Sequence, residues 1–410
     1  MRLEKDWGRL GLSLSDWKEY KIADLVEIIF SGGTPNTKVN EYWNGSLPWL
    51  SSGETKNRYI NSTEKTITES GAQNSSTRLA LSGDVVMASA GQGYTRGQVS
   101  FLNIDTFINQ SVIAIRANEK VLDKKFLFYN LSSRYEELRA ISDSNSIRGS
   151  ITTKMVKSMN IRIPDLNTQR AIANVLSSID DKIETSKQIN HHLEQMAQAI
   201  FKSWFIDFDP FGGEKPSDWK TANLTDIAEY LNGLAMQKYR PLDNEESLPV
   251  LKIKELRQGI FDSSSDLCSA DIKSPYIIQD GDVIFSWSGS LLVDFWTGGV
   301  GGLNQHLFKV SSQEYDKWFY YSWTKHYLDE FIAIAADKAT TMGHITRKSL
   351  EKAEILIPND HDYKSIGLLL APTYNQIISN RIENRKLMEV RNSLLPKLLS
   401  GGIPVNQATK

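Results

Sequence analysis

Cysteine is nearly missing: Cys268 is the single thiol among 410 residues, so no internal disulfide can form and stability has to come from buried apolar surface. The six histidines show no ligand spacing, and adjacent His191 and His192 fall on the outer face of a helical stretch, so neither a metal nor any other cofactor is expected. No apolar run approaches the roughly 20 residues that cross a bilayer, Ile366 to Ala371 being typical of the longest. The segment Met1 to Leu10 lacks the apolar centre of a secretory signal, and we expect a cytoplasmic protein without membrane contact. Charge of one sign is not in excess either. With 47 basic and 49 acidic residues the net charge is -2, which argues against a small self-sufficient basic nucleic-acid binder; such a surface must be local or shared with partners.

Catalytic signatures are also absent. No Gly-x-x-x-x-Gly-Lys-Ser/Thr loop is present to cradle a nucleoside triphosphate. Asp209-Pro210-Phe211 is faintly similar to an amino-methyltransferase motif but lacks its second proline and a preceding glycine-rich loop, and reads as a linker. Glu54-Thr55-Lys56 carries half of a nuclease metal motif without its upstream aspartate, and reads as a solvated loop.

What is present is a duplication. Ser15-Asp16-Trp17-Lys18 recurs as Ser217-Asp218-Trp219-Lys220, an offset of 202. Gly83-Asp84-Val85-Val86 recurs as Gly281-Asp282-Val283-Ile284, and Asn109-Gln110 as Asn304-Gln305. Gly149-Ser150-Ile151-Thr152-Thr153-Lys154 matches Gly343-His344-Ile345-Thr346-Arg347-Lys348, and Ile161 to Pro164 matches Ile355 to Pro358, both at offset 194. Order is kept and the offset drifts slowly, as expected of one module copied with small loop deletions. The first part of each copy mixes short β-branched and aromatic runs with Gly, Ser and Asn turns, and carries a helical stretch at 125–140 or 315–336.

The second part of each copy is a long helix, from about Leu166 to Trp204 and from about Tyr363 to Leu399. Alternate steps of four and three pick out Ile172, Leu176, Ile179, Ile183, Ser186, Asn190, Leu193, Ala197, Ile200 and Trp204. The same steps in the second helix give Ile366, Leu370, Thr373, Ile377, Asn380, Asn384, Leu387, Arg391, Leu394 and Leu398. Both are heptad seams with a polar middle. Paired antiparallel, facing residues have numbers summing to about 570, which sets Asn190 against Asn380 and Ser186 against Asn384. Pro372 is expected to break the second helix, leaving it regular only from about Thr373. The first seam is about 48 Å long, enough to hold two heads roughly one to one and a half duplex turns apart.

Over essentially its whole length the chain resembles the DNA specificity subunits of type I restriction-modification systems. The carrying residues are Ala199 to Phe208, Leu394 to Gly401, the openings Trp17-Lys18 and Trp219-Lys220, and Ile-x-Ile-Pro followed by Asn167-Thr168-Gln169-Arg170. The second copy departs at His361-Asp362-Tyr363-Lys364, where the Gln-Arg pair is missing. The resemblance implies an α+β chain: two pseudo-symmetric α/β target recognition domains, 1–165 and 209–360, separated by helical regions 166–208 and 361–402 that form an antiparallel coiled coil, with a tail at 403–410. It also implies a non-catalytic subunit that binds double-stranded DNA and assembles with two modification subunits and with restriction subunits. A methyltransferase or nuclease site hidden in one domain, or a protein scaffold without DNA binding, are the alternatives.

If two domains read different half-sites, positions that repeat should serve the fold or the phosphates, and positions that differ should read bases. Thr152, Lys154, Thr346, Arg347 and Lys348, with Arg148 beside them, are the phosphate candidates, although Thr152 and Thr346 equally suit helix caps. Gln92, Tyr94 and Arg96 in the first copy, and Trp287, Ser288 and Ser290 in the second, are the base-reading candidates, Arg96 for guanine. The repeated Asn109-Gln110 and Asn304-Gln305 read as structural turns.

Overall fold

A computed structural model describes residues 17–91, 93–143, 149–337 and 343–405. The chain divides into two compact units, residues 1–181 with 389–410, and residues 182–388. This division passes through the middle of both long helices, so each unit holds one sheet-rich domain and one half of the helix pair.

In the first unit, Lys18–Lys21 pairs antiparallel with Asn160–Ile163, so the domain's opening and closing strands lie side by side. Its main sheet is ordered Val26–Ser31, Val112–Ala117, Val85–Ala88, Val99–Leu102 and Tyr59–Ile60. Val85 to Ala88 is buried on both faces, as a short unbroken apolar run in a central strand demands. A second sheet runs Lys65–Ile67, Trp43–Leu50, Thr106–Ile108, Arg78–Ala80. Helices Lys124–Ser132 and Tyr135–Asp143 cover the main sheet, and Phe126, Phe128, Tyr129 and Leu138 fill the core beneath them.

The second unit repeats this plan. Lys220–Asn223 pairs with Glu354–Ile357, and the main sheet is Glu229–Asn232, Leu307–Ser311, Val283–Ser286, Leu292–Phe295. Leu267–Ser269, Ser247–Leu251, Gly301–Leu303 and Ile277–Ile278 form the second sheet, and helices Lys317–His326 and Leu328–Asp337 cover the first. Each covering stretch is thus two short helices where one was expected. The duplicated Asn-Gln pairs sit at equivalent turns: Asn109 N–H donates to Leu50 O at 3.1 Å, and Asn304 N–H to Leu251 O at 3.2 Å.

The long helices run Leu166–Phe205 and Asp360–Leu399, 40 residues each. Every seam residue named above is buried or half-buried. In the first unit Ile172 and Leu176 share a core with Leu394 and Leu398; in the second, Asn380 Nδ2 donates to Asn190 Oδ1 at 2.8 Å and Asn190 Nδ2 to Ile377 O at 3.2 Å. Within both units the halves therefore run antiparallel. Ser186 and Asn384 are buried, with Ser186 Oγ and Asn384 Oδ1 unpaired. Pro372 does not break its helix, contrary to expectation. It removes one N–H, and the carbonyl it frees belongs to Leu368, which is 78% exposed, so water can take that bond. No helix among the described residues is long and apolar enough to cross a membrane.

One further expectation changes. Glu54 is not in a solvated loop: it is buried, its Oε1 accepts from Ser51 N at 3.0 Å and its Oε2 from Glu64 N at 2.8 Å, so its charge ties a turn together. Gln169 is buried as well. Its Oε1 accepts from Asp123 N at 2.9 Å, and at the equivalent place Tyr363 Oη accepts from Asp316 N at 2.9 Å. The departure from the Gln-Arg pair thus preserves one bond with different chemistry.

Asp180 anchors the first domain to the helices. Its carboxylate accepts from Arg58 Nε at 2.8 Å, Tyr129 Oη at 2.7 Å and Arg391 Nη1 at 2.6 Å. Burial opposes its ionised form, but Arg58 and Arg391 outweigh that and hold its pKa below the ordinary 3.8. Asp180→Asn strands two guanidinium groups and is expected to cost about 3–5 kcal/mol in denaturant unfolding. Because the folded-state pKa is lowered, Asp180 contributes fully above pH 3.8 and its contribution is lost as pH falls through the lower folded value; the Asn variant should lose that part of the acid dependence.

Candidate nucleic-acid interface

At one end of each main sheet, a loop that differs between the copies lies against a loop that repeats. In the first domain the strand pair Val85–Ala88 and Val99–Leu102 is joined through residues 89–98, and Ile151 N–H donates to Ser89 O at 2.9 Å. In the second the corresponding connection is only 287–291; Ile345 N–H donates to Trp287 O at 3.1 Å and Gly289 N–H to Gly343 O at 2.9 Å. The same backbone bond holds a ten-residue loop in one copy and a five-residue loop in the other. That is how one scaffold can present two different surfaces.

In the first domain Tyr94 is 76% exposed at the loop tip. The tip is pinned by Arg139 Nη1, which donates to Gly93 O at 2.8 Å, and by Tyr135 Oη, which donates to Tyr94 O at 3.1 Å. Lys154 is exposed. Arg96 is placed otherwise than the base-reading expectation required. It is buried, paired with Asp143, and donates from Nη1 to Gly149 O at 3.1 Å, so its guanidinium joins the two loops from within. A side chain at Gly149, whose φ is +56°, would meet that guanidinium, which accounts for the glycine. Thr152 caps the helix Thr153–Ser158, its Oγ1 accepting from Met155 N at 3.2 Å. Gln92 and Arg148 lie outside the described residues, as do Ser15 and Asp16.

The second domain carries a groove of about 640 Å³ at the matching end, lined by Tyr230, Asn232, Trp287, Phe308, His344 and Arg347 among others. Trp287 is half-buried, stacks on Phe308 with ring centroids 5.7 Å apart, and donates from Nε1 to Asn232 Oδ1 at 3.0 Å. The Tyr230 phenol, pushed up by burial, bonds Thr324 Oγ1 at 2.7 Å below the groove. Ser288 departs from expectation: it is buried and its Oγ is 3.1 Å from His306 Nδ1, so its hydroxyl is spoken for. Ser290, Thr346, Arg347 and Lys348 are exposed; Thr346 occupies the cap position of Arg347–Lys352 without a side-chain cap bond. Asn232, His306 and His344 were not singled out in the sequence. His344 could have been, since it replaces Ser150 in a loop that otherwise differs only by Arg347 in place of Thr153; Asn232 and His306 carry no such mark. Among the described residues no group of three His, Cys, Asp or Glu side chains is arranged to hold a metal ion.

Comparison with known proteins gives a consistent picture. The family model for the type I restriction modification DNA specificity domain matches residues 14–195 and again 216–389. The specificity subunit of type I restriction enzyme MjaIX from Methanocaldococcus jannaschii is 28% identical over 432 aligned positions, covering 98% of this chain and 96% of that protein. The HindI specificity subunit from Haemophilus influenzae is 22% identical, covering 95% and 100%. The crystal structure of a type I restriction-modification S subunit from M. genitalium shares the fold at a TM-score of 0.61 and 14% identity, covering 93% of this chain and 96% of that one.

Replacing Arg96 with alanine should lower the stability of the first unit by about 1.5–3 kcal/mol, because Gly149 O and Asp143 lose a charged donor. Thermal unfolding checks this; an Arg96→Ala protein as stable as the parent would mean the guanidinium is not a strut.

Proposed function

Because the chain belongs to the type I restriction-modification DNA specificity family, we propose that it reads a split DNA target, one half-site per domain, and passes that choice to catalytic partners. The observation that carries this is the matched end of each domain, where a differing loop rests on a repeated one. Exposed Lys154 in the first copy, and Arg347 with Lys348 in the second, supply cations for phosphate; Tyr94, Trp287 and His344 supply differing surfaces for bases. Local cations on a chain of net charge -2 suit a protein that shares its DNA contacts with partner subunits.

In this reading the chain performs no covalent step. Two modification subunits and the restriction subunits of the complete enzyme dock on it, in the cytoplasm, where the DNA is. The unread spacer between half-sites is set by the helix pair, whose antiparallel register the Asn190–Asn380 hydrogen bond pins.

Exchanging Trp17 to Pro164 for the same segment of a relative should change one half of the target and leave the other, as read by mapping methylated sites with the modification subunit supplied. Trp287→Ala or His344→Ala should weaken discrimination in the other half alone, by about 1–3 kcal/mol. Both halves altered by the exchange, or methylation by the chain without its partner, would overturn the proposal.

A further inference from the structure

The two domains are attached to their helices by different chemistry at equivalent places. In the first unit Tyr129, from a covering helix, donates its hydroxyl to Asp180 of the first long helix at 2.7 Å. At the corresponding positions of the second unit, Ser322 Oγ lies 3.1 Å from Tyr374 Oη. The large residue belongs to the domain in one unit and to the long helix in the other. Across the helix pair the contrast continues: Asp180 bonds Arg391 at 2.6 Å, whereas the equivalents Tyr374 and Ala197 carry no charge, and Tyr374 packs on Phe295 and Tyr321 with centroids 5.4 and 5.1 Å away.

Polarity is reversed as well. The first domain contributes a cation, Arg58, to a helix carboxylate. The second contributes carboxylates to helix arginines: Asp294 to Arg381 at 2.7 Å, with Glu194 on the same arginine at 2.7 Å, and Asp280 to Arg385 at 2.7 Å. In the repeat, Asp294 stands where the first domain has Ser100, whose buried hydroxyl bonds its own domain at Thr55 O and Asn57 O. Tyr129, Asp180, Ser322, Tyr374 and Ser100 are below a tenth exposed, so a mismatch among them has no solvent to relax into, whereas Arg391, Arg58 and the ion pairs of the second unit keep partial access to water.

We infer that the two halves of the helix pair are keyed seats, each accepting its own domain by size and by charge and rejecting the other. The second domain on the first seat brings Ser322 opposite Asp180, leaving a void and a buried carboxylate without Arg58. The first domain on the second seat brings Tyr129 against Tyr374 and leaves Arg381 without Asp294. The order of the domains is thereby a property of packing and does not depend on covalent order alone. This inference stands whether or not the domains read DNA as proposed above.

The test uses four full-length chains: the natural one, a chimera with Trp219 to Pro358 duplicated in place of Trp17 to Pro164, and each of these with the first seat converted toward the second by Asp180→Tyr and Arg391→Ala. Thermal unfolding is the readout. The seat conversion should lower the melting temperature of the natural chain by more than about 5 °C and raise that of the chimera, a reversal of sign that general damage from grafting cannot produce. A conversion that shifts both backgrounds the same way, or neither, overturns the inference. A second set needs no graft: Ser322→Tyr and Tyr374→Ser should each lower the melting temperature, and the double variant should melt above both singles. A double variant no better than the worse single equally overturns it, also where the chimera fails to fold.

Discussion

The structure depends on mutual burial of two long helices that could not stand alone. A 40-residue helix with an apolar stripe needs a partner for that stripe, and here each helix finds it in the other, antiparallel within each unit. Burial of Leu and Ile along the seam supplies the attraction. It does not choose a register, because a heptad shift buries nearly the same surface. The choice falls to Asn190 and Asn380, whose buried amides bond each other and lose that bond on any slip.

Attachment of the domains follows from the same pair. Each long helix begins where a domain's closing strand ends, so seam, domain core and closing strand share residues: Ile161, Ile163, Ile172 and Leu398 lie in one cluster in the first unit, and Ala197, Ile355, Ile366 and Tyr374 in another in the second. Loops that differ are thereby carried at the end of a sheet, tied to a repeated loop by a backbone bond common to both copies. Variation in length, ten residues against five, is absorbed without disturbing the core.

Much of this was legible in the sequence because duplication supplies its own control. A position that repeats at a near-constant offset has a structural reason, and Gly149, Ile151 and Asn109 each acquire one in the fold. The seam was legible because its period is short and its polar middle recurs in both copies. Pro372 misled because a proline's effect depends on whether water reaches the freed carbonyl, which spacing does not encode. Arg96 misled for a related reason: a divergent arginine in a loop looks like a reader, yet its partners Asp143 and Gly149 are about fifty residues away in sequence. Ser288, which bonds His306, and the contacts at Asp180 and Tyr374 likewise join separate segments and have no local signature, whereas Glu54 did carry one, the Ser51-x-x-Glu54 capping box.

In the proposed function the helix pair sets the distance between two reading heads. Inserting one heptad into each long helix at facing points near Asn190 and Asn380 keeps the seam in phase and lengthens the pair by about 10 Å. With the modification subunit supplied, methylation mapping should then show both half-sites unchanged and the unread spacer about three base pairs longer. An unchanged spacer, with methylation intact, would mean that the helix pair does not set it.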